Sequence, residues 1–244
     1  MTLGSDDVHV WTAVPEHVTE PSTVAHCALL LSEAETARMQ RFHFYADRHT
    51  YLIAHALVRT ALSRYDDVEP SAWAFDVNEY GRPDIRPGIG SRALAFNLSH
   101  TRGLVAVAIA LGRDVGVDVE HVRPRALSLA VADHYFAPTE VAALRAQPAG
   151  AQRDRFFTYW TLKESYIKAR GMGLALPLDQ FAFDVDGGDD ITIALDPRLG
   201  DDARSWWFHA RRASPDHRLA VAVRKTPAEA LRLEVRSLRL GAVR

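Results

Sequence analysis

The sequence predicts an α+β fold built from two similar halves, and three observations carry that expectation. The tetrapeptide Ala74-Phe75-Asp76-Val77 recurs as Ala182-Phe183-Asp184-Val185. A stretch of helical periodicity precedes each copy. An apolar strand-like run follows each at nearly the same offset, Leu104–Leu111 (LVAVAIAL) and Leu219–Arg224 (LAVAVR). Order and spacing that recur together indicate a repeated supersecondary unit. The join falls near Gly112-Arg113-Asp114, which divides the chain into residues 1–113 and 114–244.

Each element has its own local reason. Ser32 and Glu35 have capping-box spacing ahead of a short helix. The periodicity predicts a helix over 47–64, with Tyr51, Ala54, Val58, Ala61 and Leu62 as its apolar stripe. Ser128 and Thr139 are candidate N-caps of two further helices, bounded by Pro138. A second long helix is expected over 153–170, burying Phe156, Phe157, Trp160 and Ile167 and capped by Gly171. Gly187-Gly188-Asp189-Asp190 marks a hairpin turn between strands at 181–185 and 191–195. The segment 205–212 (SWWFHARR) alternates enough for another strand. After Thr226, Leu and Val recur among arginines in a way that suits either a short helix or a strand.

Composition narrows the function classes. The 244 residues, 48% apolar and 25% charged, are ordinary for a globular protein. A net charge of −2 argues against a general nucleic-acid binder. Cys27 is the only cysteine, so internal disulfides and cysteine-rich zinc sites are excluded. The eleven histidines form no HExxH pair. The acidic N-terminus lacks the apolar stretch of a signal peptide, and the longest apolar run is far too short to span a bilayer. A cytoplasmic protein with no membrane partner is expected.

Two acidic segments carry the chemistry. In Val115–Glu120 (VGVDVE) valine and carboxylate alternate as in a strand, so Asp118 and Glu120 share one face while Val117 and Val119 take the other. In Trp160–Lys168 (WTLKESYIK) Glu164 and Lys168 stand at i and i+4 on one side of a helix. Asp118, Glu120 and Glu164 are thus a candidate ligand set for one divalent cation. Oxygen donors with nothing softer nearby suit Mg²⁺, with Mn²⁺ as a substitute, and Mg²⁺ completes its shell with water and substrate phosphates.

Together with Gly171-Met172-Gly173-Leu174 and Pro177-Leu178, these segments resemble the 4'-phosphopantetheinyl transferase superfamily, in its larger surfactin-synthetase-activating (Sfp-like) type. The resemblance runs roughly over residues 31–224. It implies two α/β subdomains related by pseudo-two-fold symmetry, with coenzyme A in the cleft between them. It also implies Mg²⁺-dependent transfer of 4'-phosphopantetheine to a serine of an apo acyl, peptidyl or aryl carrier protein, with release of 3',5'-ADP. On this resemblance Asp118 and Glu120 hold the metal, and Glu164 is a third ligand first or, through water, the base that takes the serine proton. Lys168 contacts the pyrophosphate and assists departure of 3',5'-ADP, and Lys163 adds positive charge.

The stretch Phe96-Asn97-Leu98-Ser99-His100 matches the family's NxSH segment, which implies that Ser99 and His100 hold the 3'-phosphate. Tyr80-Gly81-Arg82-Pro83 matches its YGKP turn with Arg82 in place of lysine, a change that keeps the charge and adds a bidentate fork. Arg38, Arg41 and Arg48 flank the first helices, where the family binds the nucleotide. Arg48 is offset from the position that some relatives use, which here is Thr50, and Glu35 stands where relatives can be basic. A non-catalytic coenzyme A-binding regulatory module is the alternative, and retention of all three carboxylates with Lys168 counts against it. Because the doubled chain can complete a cleft by itself, a monomer is expected.

Overall fold

A computed structural model describes residues 1–123, 129–187 and 190–241. The elements of the first half are β1 (Asp7–Ala13), α1 (Pro21–Leu30), α2 (Glu33–Gln40), α3 (Tyr45–Leu62), β2 (Phe75–Val77), β3 (Pro83–Ile85), β4 (Leu94–Thr101) and β5 (Leu104–Leu111). The second half holds β6 (Val115–His121), α4 (Ala130–Tyr135), α5 (Pro138–Ala146), α6 (Ala149–Arg170), β7 (Phe181–Asp184), β8 (Thr192–Leu195), β9 (Trp206–Ser214), β10 (His217–Arg224) and β11 (Arg232–Ser237). The chain is a mixed α/β protein.

One sheet runs β11-β1-β5-β4 and another β6-β10-β9, while β2-β3 and β7-β8 are two-stranded ribbons. The order strand, long helix, ribbon, hairpin therefore occurs twice, as β1-α3-β2-β3-β4-β5 and as β6-α6-β7-β8-β9-β10. In each unit the first strand pairs antiparallel with the last, β1 with β5 and β6 with β10. The tail resolves as a strand. β11 lies parallel to β1, from Asp7↔Arg232 to Thr12↔Ser237, so the last element of the second half completes the sheet of the first.

The strand composition sets the layering. In β5, Val105, Val107 and Ile109 face α3 together with Trp11 and Phe96. The intervening Ala106, Ala108 and Ala110 face Val115, Val117, Val119, Leu219, Val221 and Val223 of the other sheet. Two sheets thus pack face to face, and a strand buried on both sides reads as one unbroken apolar run. The outer face of the second sheet carries Ala220 and Ala222 against α6. Small residues there let the helix lie close.

Gly116 marks the closest approach. A Cβ at this position would stand 2.0 Å from the Ser165 carbonyl oxygen and 2.5 Å from the Ala169 nitrogen, both main-chain atoms of α6. Gly116→Ala is therefore expected to force α6 off β6 and to cost about 3 kcal/mol or more, at the upper end for overpacking. Chemical denaturation reads this as a lower midpoint, and a midpoint equal to that of the parent would contradict the close approach.

Most predicted boundaries hold within a few residues. The Ser32–Glu35 capping box is formed, with Ser32 N donating to Glu35 Oε2 (2.8 Å) and Glu35 N to Ser32 Oγ (3.2 Å). Gly171 caps α6 at φ +64°, its N–H donating to the Ile167 carbonyl (3.0 Å). The β7–β8 hairpin pairs Phe181 with Leu195. Its turn residues 188–189, like the proposed Ser128 cap, lie outside the described residues. Thr139 does not cap α5. Pro138 takes the first helical position, where its missing N–H is harmless. The Ala137 N–H at the cap is satisfied by Glu140 Oε2 (3.0 Å).

Candidate active site

The alternation in β6 and the i, i+4 spacing in α6 bring the two acidic segments together where strand and helix cross. Asp118 is only 4% exposed. Its Oδ1 accepts from Lys168 Nζ (2.6 Å) and from Ser99 Oγ (3.0 Å), and Lys168 Nζ also donates to Ser99 Oγ (2.9 Å). Its Oδ2 is buried with no hydrogen-bond partner. Glu120, two residues along the same strand face, accepts from Trp160 Nε1 (3.2 Å). Trp160, Glu164 and Lys168 stand at i, i+4 and i+8 on α6, so one helix face delivers an indole donor, a carboxylate and an ammonium. Tyr135 of α4 packs edge-on against Trp160 and remains 42% exposed.

The electrostatics show an excess of negative charge. Burial, and then the charge of Asp118, push the Glu120 carboxyl up to about 7, against smaller opposing pulls from the Trp160 hydrogen bond and Lys168. Burial and Asp118 likewise raise Glu164, while Lys168 lowers it. Three carboxylates therefore share one lysine, and one buried oxygen is unpaired. An all-oxygen set of this kind fits a hard divalent cation. Among the described residues no group of three His, Cys, Asp or Glu side chains is drawn together closely enough to hold a metal ion by itself. A cation bound there would need further ligands from water and substrate phosphates, as Mg²⁺ sites use.

A track of residues leads from this cluster toward the first half. His100 follows Ser99 at the exposed end of β4. Desolvation, then the charge of Lys168, hold its imidazole below the usual range, and His55 on α3 adds to this. His55 Nδ1 donates to Glu35 Oε1 (2.9 Å), and the ring stacks on Tyr51 with centroids 4.0 Å apart. Tyr51 in turn lies against Phe42 and within the field of Arg38. Arg38 and Arg41, with Ala34 and Phe42, line a concavity of about 630 Å³. Arg48 is exposed on the first turn of α3.

Three expected phosphate contacts are placed otherwise. Lys163 is completely buried and forms an ion pair with Glu140 (2.7 Å). It also donates to the carbonyls of Leu178 (2.8 Å) and Phe181 (2.6 Å), so all three of its protons are used inside the second half. Lys163 is a core strut of the second half. Arg82 has also spent its fork. It donates through Nη1 to the Ala169 carbonyl (2.8 Å) and through Nε to Asp84 (3.1 Å), and its Nη2 is paired with Asp84 at 3.0 Å. With Asn78 Nδ2 donating to the Gly171 carbonyl (2.9 Å), it ties the 78–82 turn to the end of α6. Ser99 is 5% exposed and points inward to Asp118, away from any surface ligand.

Glu35 also has a structural role. Despite its burial, the hydrogen bonds from His55 and the Ser32 N–H and the Arg59 charge hold its carboxyl down to about 2. Arg59 Nη2 donates to Glu35 Oε2 (2.7 Å), joining α2 to α3. The depressed value means that stability is present above the ordinary carboxylate range and is lost as pH falls toward 2. Glu35→Gln is expected to lower stability by about 2–3 kcal/mol at pH 7. That difference should vanish as the pH of the melts is taken from 4.5 down to about 2.

Residues 114–222 match the family described as the 4'-phosphopantetheinyl transferase superfamily, and residues 18–111 match 4'-phosphopantetheinyl transferase, N-terminal. The 4'-phosphopantetheinyl transferase HetI of Nostoc sp. is 37% identical over 175 residues, which is 72% of this chain and 73% of that protein. The chain belongs to the 4'-phosphopantetheinyl transferase superfamily. Sfp of Bacillus subtilis, 31% identical across 78% of this chain and 81% of its own length, places it with the Sfp-like type. A second Bacillus subtilis 4'-phosphopantetheinyl transferase is 33% identical over 68% of this chain and 71% of that protein.

Sequence reasoning missed Asn97, whose Oδ1 accepts from Val117 N (3.0 Å), and the donor role of Trp160. Both had a signal. Asn97 and Ser99 share a strand face by their i, i+2 spacing, and Trp160 lies one turn before Glu164.

Proposed function

We propose that this superfamily member transfers 4'-phosphopantetheine from coenzyme A to the serine of an apo acyl, peptidyl or aryl carrier protein, releasing 3',5'-ADP. The buried, unpartnered Oδ2 of Asp118, flanked by the raised carboxylates of Glu120 and Glu164, is the observation that carries this reading. Asp118, Glu120 and Glu164 would hold Mg²⁺ or Mn²⁺, which when bound supplies charge neutralisation at the pyrophosphate.

The chain's own groups do the rest. The carrier serine oxygen forms a bond to the pantetheine-bearing phosphorus as the bond from that phosphorus to the ADP oxygen breaks. Glu164, directly or through a water, takes the serine proton. Lys168, released from Asp118, neutralises the charge that develops on the departing 3',5'-ADP. His100, Arg38 and Arg48 bind the nucleotide phosphates along the track that ends at the Arg38–Arg41 concavity.

Residues 1–113 and 114–244 act as two subdomains related by a pseudo-two-fold axis, with the ligand in the cleft between them. The repeated strand order and the two abutting family matches support this division. A single chain then supplies a whole cleft, so the active species is a monomer that works in the cytoplasm on a soluble carrier. Among the described residues no helix is long and apolar enough to cross a membrane.

The test is product analysis after incubation with coenzyme A, Mg²⁺ and a panel of apo carriers. The proposal predicts 3',5'-ADP in equal amount to modified carrier on at least one of them, and neither product when EDTA is present. Carrier modification that is unaffected by EDTA would overturn the metal assignment.

A further inference from the structure

We infer that Ser99 is a positioning residue for Asp118, fixing the carboxylate across the seam between the two halves; this rests on the reading of Asp118 as a cation ligand. Ser99 lies on β4 of the first half and Asp118 on β6 of the second. These two strands share no main-chain ladder. Side chains stitch them instead. Asn97 Oδ1 accepts from Val117 N (3.0 Å), and Ser99 Oγ accepts from Val119 N (3.2 Å), the next amide on the same edge.

The Ser99 hydroxyl has no capacity left over. It accepts from the Val119 amide and from Lys168 Nζ (2.9 Å) and donates its one proton to Asp118 Oδ1 (3.0 Å). Being 5% exposed, it is not placed to meet a ligand phosphate. Its oxygen is anchored by backbone, so the bond to Oδ1 fixes the rotation of the carboxylate. With Lys168 in place, Ser99 and Lys168 occupy Oδ1, and Oδ2 is the oxygen turned free toward a cation. A neighbour that orients a metal-binding side chain in this way is worth about 10–100-fold in metal affinity. The role differs from a 3'-phosphate contact, which would show in the choice between coenzyme A and its 3'-dephospho form.

The experiment is Mn²⁺ binding to the full-length protein, followed by electron paramagnetic resonance with saturating coenzyme A and no carrier, so that no turnover occurs. Ser99→Ala is expected to weaken Mn²⁺ binding by about 10–100-fold, and Ser99→Thr, which keeps the hydroxyl, to restore most of it. The ratio of affinities for coenzyme A and dephospho-coenzyme A should be the same in Ser99→Ala as in the parent. Should Ser99→Ala not fold, Ser99→Cys keeps the size with a much weaker donor and is read in the same way.

Asp118→Ala separates the two levels of the argument. If Asp118→Ala binds Mn²⁺ as the parent does, the metal reading itself fails. If Asp118→Ala loses Mn²⁺ while Ser99→Ala keeps parental affinity, only the positioning role is overturned. A Ser99→Ala protein with parental Mn²⁺ affinity and lost discrimination against dephospho-coenzyme A would assign Ser99 to the phosphate instead.

Discussion

Lys163→Met is expected to lower stability by about 3–5 kcal/mol while leaving turnover per folded molecule close to the parental value. The ammonium it removes is the partner of Glu140, and both side chains are fully buried. Burial pushes Glu140 up and Lys163 down, and each opposes the shift of the other. Without Lys163, Glu140 retains only the amides of Ala137 and Phe183. The carbonyls of Leu178 and Phe181 lose a donor at the same time. For a chain of this size each kcal/mol moves the melting temperature by about 2–4 °C, so a fall of roughly 6–20 °C should be seen by calorimetry. Adding Glu140→Gln removes the uncompensated charge and should recover part of the loss. A stable Lys163→Met protein with crippled turnover would put Lys163 back in the cleft.

Asp118→Asn should have the largest effect on catalysis. The change keeps the shape of the side chain and its contact with Ser99 but removes the charge that the proposed cation needs. A fall in kcat/KM of about 10³-fold, or roughly 4 kcal/mol, is expected at saturating Mg²⁺. Coenzyme A affinity measured without metal should change little. A second readout does not depend on activity. Glu120 is raised to about 7 by burial first and by Asp118 second, so in the metal-free protein its titration should move down toward the ordinary carboxylate range. Activity within tenfold of the parent would contradict the role given to Asp118.

The carboxylate–lysine cluster was legible because two short-range periodicities fix it. Alternation put Asp118 and Glu120 on one face of β6, and the i, i+4 rule put Glu164 and Lys168 on one face of α6. That the two faces meet followed from the resemblance and not from spacing. Lys163 was placed near the transferring group with the resemblance, whereas helix residues adjacent to Glu164 point about 100° away from it. Its own face is that of Phe156, Tyr159, Tyr166 and Ile167, all buried, so the wheel held the correction. Arg82 had no such signal. Its partners are the Ala169 carbonyl and Asp84, and the first of these is visible only after the 78–82 turn has met the end of α6. The strand nature of 232–237 depends on β1, more than two hundred residues earlier, and no local pattern encodes that pairing.

The most direct test of the account is Glu164→Gln, assayed by intact-protein mass spectrometry of an apo carrier with coenzyme A and Mg²⁺, alongside equilibrium binding of coenzyme A. The account predicts that the parent enzyme adds one phosphopantetheine to the carrier, and that Glu164→Gln binds coenzyme A yet leaves the carrier unmodified. Undiminished modification by Glu164→Gln would show that the carboxylate cluster between β6 and α6 does not carry the reaction.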